Sequence, residues 1–299
     1  VTMPVQGEFF QKSTAAAASF YDYQIPFALK VTRSPTTSGG TNGSGFGWSG
    51  QVYPNTSSCT KWSFSWWQKK TLVTDEIGPI DGGTFYQTML NNIENHGGKS
   101  LAFSYGSGAA EQDVFHYRAG SNYKSASKFT DRGNWQHCCI IMDTTQSTAA
   151  DRFKFYLNGR HITEIDPSGQ ISQSSTIPFG VNQAHPAHYF GLLLNAHGHT
   201  EGNSYGMQGV FAEIIIRHSI SGDTIDNYGY YKNGVWIPRD PTDSSYINST
   251  FGAEGLWFKF ANASSLGTDS SGNGNNATSV FNLSADNQVI DTPTNDGSS

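Results

Sequence analysis

Apolar and polar residues alternate with a period of two in several short stretches of this chain, as in half-buried β-strands. In the segment Trp135–Ile165, the side chains of Phe153, Phe155 and Leu157 alternate with more polar ones. Asn158–Gly159 follows at once, and this dipeptide favours a type I′ turn because both residues tolerate positive φ. The pattern predicts a β-hairpin whose three apolar side chains face a core.

Other stretches carry the same period. Trp62, Phe64 and Trp66 alternate with serines, which predicts a central core strand with a strongly aromatic face. Further strands are predicted, with the spacing of a β-sandwich, at residues 25–32, 84–90, 100–105, 114–118, 190–195 and 209–218.

Strict alternation through residues 209–218 predicts two faces of different character. Val210, Ala212, Ile214 and Ile216 would form the apolar face, and Phe211, Glu213, Ile215 and Arg217 the half-polar face.

The composition supports an all-β fold. The 299 residues include 33 glycines, 13% aromatic residues and 14% charged residues, which is typical of many short strands joined by turns. No segment of ten or more residues has a convincing helical period. We predict an N-terminal arm at 1–24, a β-sandwich at 25–240, and a C-terminal segment at 241–299 with one strand (256–261) and a polar tail.

The charge pattern argues against some classes of binding partner, and the cysteines indicate the cellular compartment in which the protein is made. A formal net charge of −6 with scattered Lys and Arg provides no basic stripe for a phosphate backbone, so nucleic acid is not expected. No apolar run has the length of a membrane span, so membrane insertion is not expected either. Cys59, Cys138 and Cys139 are predicted to be buried thiols of a protein made in a reducing cytoplasm, the last two on opposite faces of one strand.

Six segments, in this order, suggest a family. They are F-Y-D-Y-Q-I with A-L-K-V, K-W-S-F-S-W-W-Q-K, the W-Q-H-C-C-I-I-M-D to F-Y-L-N-G hairpin, G-V-F-A-E-I-I-I-R, N-G-V-W-I-P, and G-L-W-F-K-F-A-N-A-S-S-L-G-T-D-S-S-G-N-G-N-N-A-T. Together they resemble the laminin G-like branch of the concanavalin A-like lectin and glucanase superfamily, especially its versions in virion proteins of tailed bacteriophages. The resemblance covers most of residues 20–295.

That resemblance implies an antiparallel jelly-roll β-sandwich and a non-enzymatic role in structure or adhesion. It places the protein on the virion surface, as a tail fibre or spike component or a capsid decoration protein synthesised in the host cytoplasm. The implied partners are other virion proteins and a host-surface polysaccharide, and the implied state is a homo-oligomer such as a trimer. A stand-alone carbohydrate-binding lectin is the alternative.

The chain departs from the family in one respect. A strand followed by D-S-S-G-N-G-N usually opens a laminin G-like domain, but here it lies near the end of the chain. Either this strand completes the first sandwich, or it begins a second domain.

Glycosidase activity is the least favoured hypothesis for the function. Glucan-cleaving relatives use an E-x-D-x-x-E strand with two carboxylates as nucleophile and acid. Glu164 and Asp166 match its first half, but Pro167 interrupts the strand and Gly169 stands at the position of the acid. Without a proton donor the retaining mechanism fails.

Two groups of residues are candidate metal ligands. Imidazoles at close spacing can bind a transition metal, or else form an intersubunit contact, at His185, His188, His197 and His199. Clustered oxygens that suit calcium, or else only an Asx turn, occur at Asp269, Asn273 and Asn275.

Aromatic residues in loops rich in Gly and Ser are candidates for carbohydrate binding, because exposed rings stack on sugar faces. The same residues would equally suit contacts with neighbouring subunits. The candidates are Trp48, Tyr53, Tyr123 and Tyr205.

Overall fold

The computed structural model of the protein consists of antiparallel β-strands joined by loops and short 3₁₀ turns. It describes residues 20–32, 44–47, 59–71, 84–91, 100–107, 112–118, 122–167, 171–176, 193–194, 208–245, 250–277 and 279–295. Within these ranges, no helix is long and apolar enough to cross a membrane.

Eight strands form the first sheet. They are β1 (Ala28–Val31), β3 (Lys61–Lys70), β8 (Gln136–Asp143), β9 (Phe153–Leu157), β10 (Arg160–Ile162), β13 (Gly209–His218), β16 (Leu256–Phe258) and β18 (Gln288–Val289). Their order is β10–β9–β8–β3–β13–β1–β18, and β16 also pairs with β13. β13 therefore has β3 along one edge and both β1 and β16 along the other.

Eight further strands form the second sheet. They are β2 (Gly45–Gly47), β4 (Thr84–Asn91), β5 (Ser100–Ser107), β6 (Val114–Arg118), β7 (Asn122–Lys128), β11 (Ile165–Pro167), β12 (Leu193–Leu194) and β17 (Ser279–Phe281), in the order β11–β7–β6–β5–β4–β12–β2–β17. A separate two-stranded hairpin consists of β14 (Gly229–Lys232) and β15 (Val235–Pro238).

The main core lies between the two sheets and is rich in aromatic rings. Phe155 of β9 stacks on Phe115 of β6 with 3.9 Å between ring centroids, and Trp66 of β3 meets Phe103 of β5 edge to face. The predicted aromatic face of β3 is confirmed, since Trp62, Phe64 and Trp66 all belong to this core. The predicted all-β sandwich is therefore confirmed.

The predicted hairpin between β9 and β10 is also confirmed. Phe153 and Phe155 are buried in the core, and Leu157 packs against it. Asn158 and Gly159 have φ values of +48° and +77°, as a type I′ turn requires. The Asn158 side chain accepts a hydrogen bond from the backbone N–H of His137 (2.7 Å), which ties the turn to β8.

The first sheet is buried on its outer face as well, meaning the face turned away from the second sheet. Two further apolar clusters lie there, one around Trp67 and Trp236 and one around Tyr228 and Trp257. Every residue of β13 is consequently buried. Cys138 and Cys139 are buried free thiols on opposite faces of β8, as predicted.

The predicted alternation of β13 is wrong beyond Ala212. The pairing of β13 with β3 shifts register between Ala212 and Ile215, and Glu213 there has φ of +47°. This β-bulge adds one residue, so the alternation restarts with opposite parity. Phe211, Ile214 and Ile216 face the main core, whereas Val210, Ala212, Ile215 and Arg217 lie on the outer face.

The C-terminal segment belongs to both sheets of the sandwich. β16 and β18 pair with strands of the first sheet, and β17 pairs with β2 of the second. Near its end, Thr294 accepts a hydrogen bond from the backbone N–H of Ile25 (2.8 Å). This pairing agrees with the alternative in which the last strands complete the first sandwich. The boundaries at residues 24 and 240 stay predictions.

Substituting the two type I′ turn glycines tests how the β14–β15 hairpin is seated. A Cβ on Gly159 would lie 2.1 Å from Cε3 of Trp236, whereas one on Gly234, which has φ of +82°, meets nothing within 4 Å. Gly159→Ala should lower the free energy of unfolding by about 3 kcal/mol, because overpacking adds to the strain of positive φ. Gly234→Ala, the matched control, should lose only about 1 kcal/mol. Equal losses in urea-induced unfolding would contradict this seating.

The buried carboxyl group of Glu213, which lies at the bulge, makes the stability of the protein depend on pH. Glu213 is 3% exposed, and its carboxylate accepts hydrogen bonds from Trp257 Nε1 (2.6 Å) and Tyr23 Oη (3.1 Å). Burial raises the pKa of Glu213 from an ordinary 4.5 to about 7, although both hydrogen bonds and Lys259 act the other way and Asp240 adds to the rise. The folded protein therefore holds this proton more tightly than the unfolded chain does.

Below about pH 4.5 Glu213 is protonated in both the folded and the unfolded state, so its ionisation does not affect the free energy of unfolding. As the pH rises from there to about 7, ionisation favours the unfolded chain and progressively lowers the free energy of unfolding. Glu213→Gln should match the wild type at pH 4 and exceed it at pH 8, by about 3 kcal/mol. Thermal and urea unfolding at both pH values measure this. The same pH profile in both proteins would show that Glu213 does not titrate in this range.

Candidate functional site

A polar cleft of about 380 Å³ lies on the outer face of the first sheet. Its base is formed by β3, β8, β9 and β13, and the loop 220–225 forms one wall. We call it the outer-face cleft. The lining side chains that matter below are Lys61, Ser63, Asp143, Asp151, Lys154, Tyr156, Arg217, Asp223 and Thr224.

The alternation of the strands explains why polar groups line this cleft. In β3, β8 and β9 the side chains of Trp62, Met142 and Phe155 point into the main core. Their neighbours, including Ser63, Asp143 and Tyr156, are turned to the opposite face. Arg217 joins them because the bulge in β13 sets it on the outer face.

A hydrogen-bond network fixes the wall of the cleft to β3. The Asp223 carboxylate accepts hydrogen bonds from the hydroxyl of Ser63, from Tyr228 Oη (2.6 Å) and from Asn227 Nδ2 (2.5 Å). Burial raises the pKa of Tyr228 well above its usual value, and the Asp223 charge raises it further, so the phenol stays a proton donor. The carboxylate and both hydroxyls thus hold the loop in place.

The opposite side of the cleft is held by Asp143. Burial alone would raise the pKa of Asp143, but hydrogen bonds from Thr145, Gln146 and Lys61 outweigh it and hold the pKa below its usual value. The Asp143 carboxylate therefore stays charged and forms an ion pair with Lys61 at 3.3 Å. Lys154 and Asp151 form a second ion pair at 2.9 Å.

Tyr156 contributes the aromatic surface of the cleft. It is half-buried and packs against the outer cluster around Trp257, and its ring lies 5.2 Å from that of His161. Burial raises the pKa of Tyr156 to about 12, so its hydroxyl is neutral near pH 7 and can donate or accept a hydrogen bond.

Arg217 is among the residues that line the cleft, but it is buried, with 1% exposure. Its Nη1 and Nη2 donate to the carbonyl oxygens of Thr250 (3.0 Å) and Pro241 (3.1 Å). The guanidinium also lies 5.4 Å from the ring centroid of Tyr228 and 5.1 Å from that of Phe251. Its Nε has no acceptor among the residues that the structure describes.

The predicted carbohydrate-binding aromatic Tyr123 does not occupy an exposed loop. It lies in β7, is 6% exposed and stacks on Phe153 with 4.2 Å between ring centroids. Its hydroxyl accepts a hydrogen bond from the backbone N–H of Ile171 (3.3 Å). A ring packed in the core cannot stack on a sugar. Trp48, Tyr53 and Tyr205 lie outside the described residues and stay predictions.

The partial glucanase motif lies apart from the cleft. Glu164 precedes β11 and is exposed, and Asp166 is within β11, at the edge of the second sheet. Neither residue lines the outer-face cleft, which is built on the first sheet.

The predicted calcium ligands are linked by hydrogen bonds. Asp269 accepts from the backbone N–H groups of Trp257, Ser271 and Asn275 and from the Ser271 hydroxyl, at 2.8 to 2.9 Å. The amide groups of Asn273 and Asn275 donate to backbone carbonyls in 252–255. These contacts fasten the loop to the start of β16. Calcium binding stays a prediction.

The described residues contain no group of three or more His, Cys, Asp and Glu side chains arranged to hold a metal ion. The predicted ligands His185, His188, His197 and His199 lie outside those residues, so the transition-metal prediction stays untested.

Sequence reasoning missed the residues that line the cleft. The available signals were the charged residue Arg217 in a mostly apolar strand and the serines opposite the aromatic face of β3. Asp143, Tyr156 and Asp223 gave no local signal, because they meet only through strand pairing and a loop more than 60 residues away in sequence.

The sequence matches no protein-family model. It matches no curated protein either. The fold is similar to that of a Bacteroides ovatus protein assigned as carbohydrate-binding, with a TM-score of 0.51 and 13% sequence identity, over 86% of this chain and 59% of that one. The chain thus spans less than two thirds of that protein. At this identity the likeness shows a shared β-sandwich fold.

Two other solved structures are similar at lower TM-scores. A heptameric SAP-like pentraxin from Limulus polyphemus has a TM-score of 0.31 and 12% identity, over 65% of this chain and 77% of that one. The CBM40 of a Ruminococcus gnavus IT-sialidase has a TM-score of 0.29 and 10% identity, over 64% and 92%. We draw no conclusion from these two.

Substitution of Asp269 tests the role of its loop. Asp269→Ala should lower the free energy of unfolding by about 2 to 4 kcal/mol, because four donors lose their acceptor. Asp286→Ala, an exposed control, should change it by less than about 0.5 kcal/mol. Chemical denaturation with calcium and with a chelator completes the test. A stability that rises with calcium would identify the loop as a calcium site.

Proposed function

We propose that the protein is a non-catalytic carbohydrate-binding β-sandwich and that the outer-face cleft is its sugar site. This proposal rests on the chemical groups that line the cleft. It joins the Tyr156 ring to fixed hydroxyl, amide and charged groups in about 380 Å³, a size and chemistry that suit a small polyhydroxylated ligand. The Bacteroides ovatus protein of similar fold is assigned as carbohydrate-binding, which supports the proposal.

A binding role without catalysis is supported by the state of the carboxylates. Asp143 and Asp151 are in ion pairs, and Asp223 accepts three hydrogen bonds. A glycosidase needs two carboxyl groups free to act on the bond between two sugars. The cleft supplies oriented groups and no such pair.

We further propose that this binding serves adhesion on the exterior of a tailed-phage particle. The support is the ordered set of segments similar to phage virion proteins, from A-L-K-V to G-L-W-F-K-F-A. In this proposal a homo-oligomer contacts other virion proteins and presents the cleft to host-surface polysaccharide. A stand-alone lectin would use the cleft in the same way. Locating the protein by electron microscopy of purified particles distinguishes the two.

A glycan array of bacterial surface polysaccharides and oligosaccharides tests the sugar site. The wild type should bind at least one glycan without shortening it. Tyr156→Ala should weaken binding about ten-fold or more, because an aromatic contact of roughly 1.4 kcal/mol is lost. Tyr231→Ala, a control at a tyrosine that is 55% exposed and outside the cleft, should bind as the wild type does.

Absence of any glycan hit would refute the sugar site, and so would binding that survives in Tyr156→Ala. A folded state equal to the wild type is checked by circular dichroism and melting temperature. Release of shorter saccharides from a bound glycan would instead show an enzyme.

A further inference from the structure

The charged side chains that line the outer-face cleft balance one another. Three of them are cations, Lys61, Lys154 and Arg217, and three are anions, Asp143, Asp151 and Asp223. The six charges sum to zero. What separates these groups is whether a ligand can reach them and whether contacts within the protein already use their hydrogen-bonding positions.

Three of these charged groups are committed to contacts within the protein. Arg217 is buried, and its guanidinium donates to two backbone carbonyls. Asp223 accepts three hydrogen bonds. Asp143 accepts three hydrogen bonds from the loop that follows β8, beside its ion pair with Lys61. Those contacts fill the roughly four acceptor positions of the Asp143 carboxylate.

The ion pair of Lys154 with Asp151 is the more open of the two ion pairs in the cleft. The two side chains are 30% and 45% exposed, against 24% and 19% for Lys61 and Asp143. Asp151 uses its Oδ1 in the pair, at 2.9 Å, and its Oδ2 has no partner among the residues that the structure describes. An ammonium donor and a carboxylate acceptor therefore stand side by side within reach of a ligand.

This pair lies beside the aromatic surface of the cleft. Lys154 and Tyr156 are alternate residues of β9, so both side chains are on the outer face of the first sheet. Asp151 ends the 3₁₀ turn Ala149–Asp151, which directly precedes β9. All three side chains line the cleft and are partly exposed. The cleft thus presents an aromatic ring next to a donor and an acceptor of opposite charge.

Two adjacent hydroxyls of a sugar ring match such a pair. Each hydroxyl can donate one hydrogen bond and accept another, so one can donate to Asp151 while its neighbour accepts from Lys154. Both bonds are charge-assisted and therefore roughly twice as strong as bonds between neutral groups. A ligand carboxylate that approached Lys154 would instead be repelled by Asp151 beside it, since like charges in contact are costly.

We propose that the outer-face cleft selects a neutral pyranose, which stacks on Tyr156 and whose adjacent hydroxyls bind the Lys154–Asp151 pair. This inference rests on the proposed sugar site and names its ligand class and two of its specificity-determining residues. The charge balance of the lining excludes the acidic form of a sugar, and the open ion pair binds the neutral form.

Matched glycan pairs test the ligand class. The probes are neutral gluco-, galacto- and manno-oligosaccharides, each beside a form in which one primary alcohol has been oxidised to a carboxylic acid. The full chain should bind at least one neutral member about three-fold or more tightly than its oxidised form. Because neither partner carries a net charge, raising sodium chloride from about 50 to 500 mM should change the neutral affinity by less than about two-fold.

Variants of the ion pair test the assigned residues. Asp151→Asn should weaken neutral binding about five-fold and strengthen binding of the oxidised glycan, because Lys154 is left as an unpaired cation. Lys154→Met should weaken neutral binding by a similar factor without any gain for the acid. Both variants should fold, since exposed ion pairs contribute little to stability. Asp22→Asn, which breaks an exposed ion pair with Lys232 outside the cleft, should change neither affinity.

The outcomes separate the two proposals. A wild-type protein that prefers the oxidised glycans would overturn the neutral ligand class and leave the sugar site intact. Neutral binding that is unchanged in both Asp151→Asn and Lys154→Met, but lost in Tyr156→Ala, would overturn the role of the ion pair alone. Failure of every neutral and oxidised glycan to bind would overturn the sugar site and this inference together.

Discussion

The structure depends on a first sheet that is buried on both faces. Its inner face packs on the second sheet, and its outer face is covered by residues near the start of the described chain and by the segment between Ile225 and Trp257. Because no face of β13 is left to water, polar groups on the outer side depend on hydrogen-bond partners within the protein. The hydroxyls of Ser63 and Ser65 do so, with Asp223 and His137 respectively.

The bulge at Glu213 makes this arrangement geometrically consistent. One extra residue reverses the parity of β13, so Ile214 and Ile216 enter the core and Arg217 turns outward. β1 pairs with β13 before the bulge and β16 after it, so two strands from opposite ends of the chain share one edge. The buried carboxylate at the bulge bonds to Tyr23 and Trp257, which belong to those same two regions.

The outer-face cleft lies where the apolar clusters that cover the outer face of the first sheet end. Toward β8 and β9 the outer face loses its apolar cover, and ion pairs and a half-buried tyrosine line the opening. A recess that combines an aromatic surface with oriented polar groups is suited to selective recognition of a small ligand.

The local pattern of apolar and polar residues was enough to predict much of the fold. Phe153, Phe155 and Leu157 with Asn158–Gly159 determined a core-facing hairpin, because period and turn chemistry act between near neighbours. Tyr123 was misplaced because nothing in its local sequence says that Phe153 packs on its ring. The parity of β13, the coverage of the outer face and the meeting of Tyr156, Arg217 and Asp223 were decided only by tertiary structure, since each depends on contacts between residues far apart in the chain.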